Sequence, residues 1–238
     1  MSDCVILAGG LGTRLRPMVS NVPKPMANIN SKPFLEWQLE YLIREGATRV
    51  ILSVGYKGEV IESYFGSAFK NLKIEYAHEE TPLGTGGGLL NAVSKVQSKE
   101  FFVFNGDTFF PVDFEKMLRT FRQKLDPTML LATFRADKND RYGALKVCPK
   151  THSLLGFESS KSKIGDSANG GVYLCNRERW VGLLERVDLD TKISLEDDLI
   201  PILLQGNHVL MTKKFDNFFI DIGTPEDYRQ AKKIFTDL

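Results

Sequence analysis

A glycine-rich run follows the first apolar stretch of the chain and has the composition of a phosphate-binding loop. It reads LAGGLGTRLRP over residues 7–17, with three glycines in four positions and a cation, Arg14, soon after them. Glycine lets backbone N–H groups turn toward an anion and approach it closely. A dinucleotide fingerprint would need glycine in place of Leu15, and a P-loop would need Lys-Ser/Thr after the last glycine. The run therefore predicts a phosphate loop of a different kind.

A lysine stands between two prolines ten residues beyond Arg14. The segment is Pro23-Lys24-Pro25-Met26, and the prolines fix the backbone angles on both sides of Lys24. A rigidly presented ammonium suits a phosphate that must be met at a defined place. A surface turn or a solvated lysine would explain either motif alone. Together, the two motifs predict a phosphate site whose cations are Arg14 and Lys24.

Two carboxylates come directly after apolar runs of strand length. Asp107 closes Asn105-Gly106-Asp107, which follows Phe101–Phe104, and Asp221 follows Phe218-Phe219-Ile220. Asn-Gly-Asp alone is typical of a turn. Two hard oxygen ligands at strand ends, completed by water and phosphate oxygens, suit Mg²⁺. We therefore interpret Asp107 and Asp221 as candidate metal ligands at the edge of the sheet where open α/β folds bind ligands.

The elements that must position these residues alternate between strand and helix in the first half of the chain. Apolar runs and three- to four-residue periodicity predict strands Cys4–Leu7, Arg49–Val54, Leu72–Tyr76 and Phe101–Phe104, and helices Phe34–Glu45, Glu59–Phe65 and Gly88–Val96. Such alternation is typical of crossover units. It predicts an α/β fold with a mostly parallel mixed sheet and helices on both faces.

The rhythm changes after about residue 125 to strands at hairpin spacing. We predict strands Met129–Arg135, Gly143–Val147, Leu154–Glu158 and Gly171–Leu174, a helix Glu178–Glu185, helices capped by Ser194 and Thr224, and a strand Phe218–Ile220. This pattern predicts a small antiparallel lobe added to the parallel core. No linker or repeat interrupts the chain, so we expect one domain over residues 1–238.

The composition excludes several classes of protein. Of 238 residues, 31 are basic and 30 acidic, so the net charge of +1 argues against a nucleic-acid-binding protein. Cys4, Cys148 and Cys175 are too few and too scattered for a disulfide framework or a zinc site. The N-terminus has no basic leader, and no stretch approaches the roughly 20 apolar residues of a membrane helix. We expect a cytoplasmic protein with free thiols and no membrane partner.

The order of the motifs carries a resemblance to a known family. GTRLRP, PKP, LGTGGG, NGD, NGGVY, SLEDD and FIDIGTPEDY follow one another between residues 7 and 228. This series resembles the sugar-1-phosphate nucleotidylyltransferases. The resemblance implies a Rossmann-like nucleotide-diphospho-sugar transferase fold. It also implies a reaction in which a nucleoside triphosphate and a sugar 1-phosphate give an NDP-sugar and pyrophosphate.

The resemblance also implies roles for individual residues on the nucleotide side. Arg14, Lys24 and Asp107 would be catalytic, and Asp107 and Asp221 would bind Mg²⁺. Glu79 is either an exposed charge or an acceptor for guanine N1–H and the 2-amino group, and both interpretations stay open. The expected nucleotide-binding residues are Leu7, Ala8, Gly9, Gly10, Gly12, Thr13, Arg14, Glu79, Pro82, Gly84, Thr85, Gly86, Asn105 and Gly106.

A second set of residues is expected to bind the sugar. Many relatives have Glu-Lys-Pro where this chain has Glu158-Ser159-Ser160-Lys161-Ser162-Lys163, so both lysines are candidates for the sugar phosphate. The expected sugar-binding residues are Tyr142, Gly143, Glu158, Lys161, Lys163, Asn169, Gly170 and Glu196. By this interpretation about residues 1–125 hold the nucleotide, about 126–215 hold the sugar, and 216–238 return to the core.

Within the family, GYKGEVIESYFG and HEETPLGTGGGLLNA resemble members that use GTP and a manno-heptose 1-phosphate for surface-glycan biosynthesis. Three alternatives remain: a mannose- or glucose-1-phosphate enzyme using GTP, UTP, dTTP or CTP, a catalytically silent regulatory subunit, and an NAD-dependent reductase. The charged residues Arg14, Lys24, Asp107 and Asp221 favour catalysis, and the missing fingerprint disfavours the reductase. We expect a monomer or a homodimer.

Overall fold

A ten-stranded mixed sheet forms the centre of the computed structural model, which describes residues 2–10, 12, 15, 19, 22–137, 142–184, 186–187 and 191–236. Two short two-stranded sheets accompany it. The strands in chain order are β1 (Asp3–Leu7), β2 (Asn28–Ile29), β3 (Lys32–Pro33), β4 (Arg49–Val54), β5 (Ala68–Phe69), β6 (Leu72–His78), β7 (Glu100–Asn105), β8 (Thr108–Phe109), β9 (Met129–Arg135), β10 (Gly143–Val147), β11 (Leu154–Lys161), β12 (Ser167–Asn176), β13 (Leu210–Lys214) and β14 (Ile220–Asp221).

Helices connect the strands and cover the sheet. They are α1 (Phe34–Arg44), α2 (Gly58–Phe65), α3 (Gly84–Val93), α4 (Phe114–Arg122), α5 (Arg177–Leu184), α6 (Ile200–Gln205) and α7 (Pro225–Ile234). A 3₁₀ turn, Lys24–Met26, and a turn of π-helix, Leu195–Leu199, complete the described set. No helix in these described stretches combines the length and apolar character needed to cross a bilayer.

The parallel core matches the prediction from the alternating pattern. β1 lies between β4 and β7 and runs parallel to both, and β6 is parallel to β4. Cys4 and Ile6 of β1 pack into one hydrophobic cluster and Val5 into another, so the strand is buried on both faces. Leu7 pairs with Asn105, which brings the carboxyl ends of β1 and β7 together at one edge.

The predicted antiparallel region is continuous with this sheet. β12 pairs antiparallel with β7 and carries β9 and β10 beside it, and β11 lies beyond β10. β13, which the sequence analysis did not predict, is parallel to β9. The α/β fold with a mixed sheet is therefore confirmed, and its antiparallel half extends the edge of the parallel half.

Several element boundaries differ from the prediction. α3 spans Gly84–Val93, so the predicted helix Gly88–Val96 was placed too late because glycines are poor helix formers. The predicted strand Phe218–Ile220 is instead the two-residue β14, which includes Asp221. Helix α4 was missed although Asp113 caps it, and Phe114, Met117 and Phe121 form its buried face. The caps at Ser194 and Thr224 and the free thiols are confirmed.

A buried ion pair ties the start of β1 to the neighbouring strands. Asp3, only 7% exposed, accepts hydrogen bonds from the N–H groups of Gln97 and Ser98, and its carboxylate lies 2.8 Å from Nη1 of Arg49. Arg49 also donates to both carboxylate oxygens of Glu75. Burial raises the pKa of Asp3, but these N–H groups and Arg49 offset it, and the pKa is lowered overall.

Replacing Arg49 by methionine should therefore destabilise the fold by about 3 kcal/mol, because it leaves the Asp3 carboxylate buried without its cation. Lys73→Met removes the 63% exposed partner of Glu75 and should change the free energy of unfolding by less than about 1 kcal/mol. Urea unfolding measures both. Because folding lowers the pKa of Asp3, the ionised carboxylate stabilises the folded protein at pH values above the ordinary pKa of 3.8. This stabilisation is lost as the pH falls through the lowered pKa. Equal losses in the two variants would contradict this role for Arg49.

Candidate functional site

A cavity of about 620 Å³ opens at the edge where β1 and β7 end. This volume is within the usual range for small-molecule sites. The predicted residues in its wall are Leu7, Ala8, Gly9, Gly10, Gly12, Lys24, Glu79, Pro82, Gly84, Thr85, Asn105, Gly106, Asp107 and Glu196. Lining residues that the sequence analysis did not predict are Pro25, Lys192, Ser194, Asp197 and Gly223. The structure therefore brings most of the predicted nucleotide-side residues to one place.

The floor of the cavity consists of two turns that are bonded to each other. Gly106 donates its N–H to the carbonyl of Leu7 at 3.0 Å, and a Cβ at Gly106 would lie only 2.5 Å from that oxygen. A larger residue at Gly106 would separate the turns. Gly12 has φ of +57° and packs against the Lys24 side chain. Thr13 and Arg14, which complete the predicted loop, lie outside the described residues.

Lys24 lies between the two predicted metal ligands. Its Nζ is 2.6 Å from Oδ2 of Asp107 and 3.7 Å from Oδ1 of Asp221. The Lys24 side chain is 9% exposed, that of Asp107 is 40% exposed and that of Asp221 is 23% exposed. Asp107 therefore faces the open cavity, whereas Lys24 is held behind it.

The pairing of β8 with β14 explains why the two carboxylates meet. β14 runs antiparallel to β8, and Asp221 stands opposite Thr108, the residue after Asp107. The N–H of Gly223 donates to Asp221 Oδ1 at 2.6 Å and fixes that carboxylate. Asp107 lines the 620 Å³ cavity, whereas Asp221 lines a smaller cavity with Tyr142. Both carboxylates lie beside Lys24, and together they could hold a divalent cation.

A buried glutamine braces the turn that carries Asp107. Nε2 of Gln38, on α1, donates to the carbonyls of Asn105 and Thr108, each at 2.9 Å. These carbonyls lie on either side of Gly106 and Asp107, so Gln38 restrains the turn from both ends. Gln38 was not predicted from the sequence. The available signal was a polar residue on the otherwise apolar buried face of α1.

The glycine run at the start of α3 is bonded to the segment before the π-helical turn. Gly86 and Gly87 donate their N–H groups to the carbonyl of Ile193, and the Ile193 N–H donates to the carbonyl of Leu83. Gly84 and Thr85 line the cavity, whereas Gly86 is buried against Ser194 and is absent from the described wall. The glycines therefore permit close packing of two chain segments as well as access for a ligand.

Glu79 lies at the cavity wall beside the first glycine loop. Its carboxylate accepts hydrogen bonds from the Ser53 hydroxyl at 2.9 Å and from the Leu83 N–H at 3.2 Å. A Cβ at Gly9 would lie 2.2 Å from Glu79 Oε1, so this glycine leaves room for the carboxylate. Glu79 is thus a partly buried and bonded wall residue rather than a free surface charge.

A polar network lies under the cavity at Glu196. The Tyr173 hydroxyl donates to Glu196 Oε1 at 2.7 Å and accepts a hydrogen bond from Nδ2 of Asn169 at 2.7 Å. The Thr85 hydroxyl donates to Glu196 Oε2 at 3.2 Å. Burial raises the pKa of Glu196, and the bonds from Tyr173 and Thr85 oppose that rise in part. Tyr173 was not predicted, because its sequence pattern is only that of a buried strand residue.

The other predicted sugar-side residues lie away from the described wall. Gly170 packs on Phe110, where a Cβ would be 2.3 Å from the ring. The Tyr142 hydroxyl donates to Asp137, and the N–H of Lys163 donates to Asp166. Glu158 forms an ion pair with Lys146, and Gly143 of β10 stands opposite Lys161 of β11. These contacts lie outside the described wall of the 620 Å³ cavity, and Tyr142 lines a smaller cavity together with Asp221.

The chain is similar to known proteins over almost its whole length. Residues 3–237 match the model of the family described as Nucleotidyl transferase. The chain is 40% identical over 237 residues to D-glycero-alpha-D-manno-heptose 1-phosphate guanylyltransferase of Aneurinibacillus thermoaerophilus, covering 97% of both chains. It is 41% identical over 230 residues to the protein of the same name from Campylobacter jejuni subsp. jejuni serotype O:2, covering 95% of this chain and 96% of that one.

A solved structure gives the same result. The crystal structure of HddC from Yersinia pseudotuberculosis complexed with GMP-PN superposes with a TM-score of 0.84 at 34% identity, covering 99% of this chain and all of the other. Because the family match spans almost the whole sequence, the resemblance predicted from the motifs is confirmed, and the chain belongs to the nucleotidyl transferase family.

Proposed function

We propose that this protein transfers a guanylyl group from GTP to D-glycero-α-D-manno-heptose 1-phosphate, giving GDP-heptose and pyrophosphate. The observation that carries the proposal is the approach of Lys24 to both Asp107 and Asp221 at the cavity of a nucleotidyl transferase family member. The choice of GTP and of the heptose is supported by the names of the two relatives and by the GMP-PN complex of HddC. The product would supply the biosynthesis of a surface polysaccharide.

The two substrates would occupy different sides of the cavity. In this proposal Leu7–Gly10, Gly12, Thr13 and the turn at Asn105–Gly106 bind the nucleotide phosphates, and Glu79, Pro82, Gly84 and Thr85 lie by the base and ribose. Gly86 would act by holding the glycine run against Ile193. The sugar would lie toward residues 126–215, where Glu196 accepts from its hydroxyl groups. The other predicted sugar contacts would be Tyr142, Gly143, Glu158, Lys161, Lys163, Asn169 and Gly170.

The reaction needs no covalent nucleophile from the protein. An oxygen of the sugar 1-phosphate forms a bond to the α-phosphorus of GTP while the bond to the pyrophosphate leaving group breaks in line with it. Lys24 and Arg14 would offset negative charge on the reacting phosphates and on the leaving group. The turns at the floor of the cavity would hold the phosphates in this alignment.

The donor set of the cavity fits a divalent cation. The described wall carries two lysines, Lys24 and Lys192, against four carboxylates, Glu79, Asp107, Glu196 and Asp197. Two anionic substrates entering such a wall require further positive charge. The carboxylate oxygens of Asp107 and Asp221, completed by phosphate and water oxygens, are the kind of ligands that Mg²⁺ prefers. Mg²⁺ held by Asp107 and Asp221 would neutralise charge at the α-phosphate.

A substrate matrix tests the proposal directly. GTP, UTP, dTTP, CTP and ATP are each combined with heptose, mannose and glucose 1-phosphates, and pyrophosphate release is measured with Mg²⁺. GTP with the manno-heptose 1-phosphate should give the highest kcat/KM. A higher kcat/KM with mannose 1-phosphate would change the proposed sugar substrate, and the protein would still be a sugar-1-phosphate nucleotidylyltransferase. No pyrophosphate release with any pair would contradict the enzymatic function and favour a catalytically silent subunit.

The compartment we propose is the cytoplasm, where nucleoside triphosphates are made.

Replacing Gln38 by leucine should reduce kcat by about 10²-fold, because the turn carrying Asp107 loses its brace and small displacements of a positioned group are costly. The protein should stay folded, since Oε1 of Gln38 has no hydrogen-bond partner among the described residues and leucine removes that buried oxygen. Gln205→Leu, on the exposed end of α6, is the matched control. Pyrophosphate release and thermal melting of both variants check the prediction. An unchanged kcat in Gln38→Leu would contradict it.

A further inference from the structure

Tyr173 has a hydroxyl group in the interior that the proposed reaction does not use directly. The side chain is fully buried on β12, yet its hydroxyl lies among polar side chains from separate segments. Asn169 donates to it, Glu196 accepts from it, and the Asn105 side chain lies beside it. A buried hydroxyl in such a network has fixed bonding partners. Its position, directly behind a carboxylate of the cavity wall, suggests a role in orienting that carboxylate.

The direction of each hydrogen bond is determined by the groups involved. The amide Nδ2 of Asn169 can only donate, so the Tyr173 oxygen accepts there. The single proton of the phenol therefore goes to Glu196 Oε1. Burial raises the pKa of Tyr173 well above its ordinary value, which keeps that proton in place. Tyr173 is thus a permanent donor to Glu196.

Asn169 is engaged at both ends of its amide. Its Oδ1 accepts from the N–H of Gly171 at 3.0 Å while its Nδ2 donates to Tyr173. The pairing of β12 with β9 shifts register between Asn169 and Tyr173, the two residues whose side chains are hydrogen-bonded to each other. Asn169 is also absent from the described cavity wall, whereas Glu196 is part of it. Hydrogen bonds through Tyr173 therefore link Asn169 to Glu196 in the cavity wall.

We infer that Tyr173, oriented by Asn169, is a positioning residue that holds the Glu196 carboxylate toward the sugar. A carboxylate has about four acceptor sites. Tyr173 and Thr85 each donate to one oxygen, and the N–H of Glu196 also donates to its own carboxylate, which leaves an acceptor site for a sugar hydroxyl group. This inference rests on the proposed function, because it assumes that Glu196 binds the hydroxyl groups of the sugar 1-phosphate and does not bind the nucleotide.

Tyr173→Phe tests the inference by removing one oxygen from a buried ring. The KM for the sugar 1-phosphate should rise about tenfold, since a hydrogen bond to a charged group is lost. The KM for GTP should be unchanged. A role in folding alone would change both KM values together or neither.

The pH profile gives a second readout. Glu196 is faced by Tyr173 from β12, by Thr85 from α3 and by Asp197 on its own turn, and Lys192 and Glu79 lie in the same cavity wall. Loss of the Tyr173 donor raises the pKa of Glu196 further. The acid limb of kcat/KM for the sugar 1-phosphate should therefore move to higher pH in Tyr173→Phe. The corresponding limb for GTP should stay in place.

Tyr41→Phe is the matched control for stability. Tyr41 is also buried, and its hydroxyl donates to the carbonyl of Val112, away from the described cavity wall. Both variants lose a buried hydrogen bond, so a similar fall in melting temperature is expected for both. Only Tyr173→Phe should change the KM for the sugar phosphate. The inference is overturned if the wild-type enzyme is active and Tyr173→Phe leaves that KM unchanged, or if Tyr41→Phe raises it equally. Inactivity of the wild type would instead overturn the proposed function.

Discussion

Replacing Lys24 by methionine is expected to lower kcat by about 10³-fold while leaving the protein folded. The ammonium lies 2.6 Å from Asp107 in a cavity whose described wall carries four carboxylates and one other lysine, Lys192. Methionine is similar in length and can occupy the same largely buried position, but it cannot offset charge on the reacting phosphates. The loss should appear in kcat more than in the KM for GTP, because Lys24 would act most strongly where charge develops during transfer.

Lys32→Met is the matched control for this experiment. Lys32 pairs with Glu40 and lies over the Trp37 ring, outside the cavity wall, so the same change of charge should leave kcat unaffected. Pyrophosphate release and thermal melting are measured for both variants. An undiminished kcat in Lys24→Met would refute the proposed role of Lys24. A loss of folding in Lys24→Met alone would show that the ammonium acts mainly as a partner for the two carboxylates.

A second measurement separates charge from packing at the same residue. Without Lys24, Asp107 and Asp221 lose the cation between them, so Mn²⁺ should bind the nucleotide-free Lys24→Met protein more tightly than it binds the wild type. Mn²⁺ titration followed by electron paramagnetic resonance measures this affinity without any turnover. Weaker Mn²⁺ binding in the variant would contradict the assignment of these carboxylates to a metal.

The parallel half of the fold could be predicted because its strands are buried on both faces. β4, for example, is buried at every position from Arg49 to Val54, and such a run differs clearly from the helical periodicity around it. The start of α3 could not be placed in this way. Its glycines disfavour a helix locally. The N–H groups of Gly86 and Gly87 donate to the carbonyl of Ile193, which lies more than 100 residues further along the chain. The error at α3 therefore reflects tertiary contacts that override local propensity.

The candidate site was predictable where a rule about strand ends applies and not where a side chain acts through a distant partner. Asp107 and Asp221 follow apolar runs, and β8 and β14 then bring them together. Gln38 and Tyr173 look like ordinary members of a buried helix face and a buried strand. Their roles depend on Asn105 and Glu196, which are 67 and 23 residues away. Nothing in the local sequence announces such a pairing.

Replacing Asp107, the carboxylate that pairs with Lys24, by asparagine should also lower kcat by about 10³-fold. Asparagine keeps the shape of the side chain but removes the negative charge that faces both Lys24 and the open cavity. The concentration of Mg²⁺ needed for half-maximal rate should rise in the variant, because an amide oxygen is a weaker ligand than a carboxylate. Chelation of divalent ions should stop turnover in the wild type, and added Mg²⁺ should restore it.

Asp216→Asn is the matched control for Asp107→Asn, since Asp216 is 82% exposed, pairs with Lys214 and lies outside the described cavity wall. It makes the same chemical change and should leave both kcat and the Mg²⁺ requirement unaltered. If Asp107→Asn kept the wild-type rate at low Mg²⁺, the carboxylate would be only a structural partner of Lys24. The phosphates would then have to be neutralised by the glycine loop, Arg14 and Lys24 without the metal. Because the described wall carries more carboxylates than lysines, we expect the opposite result.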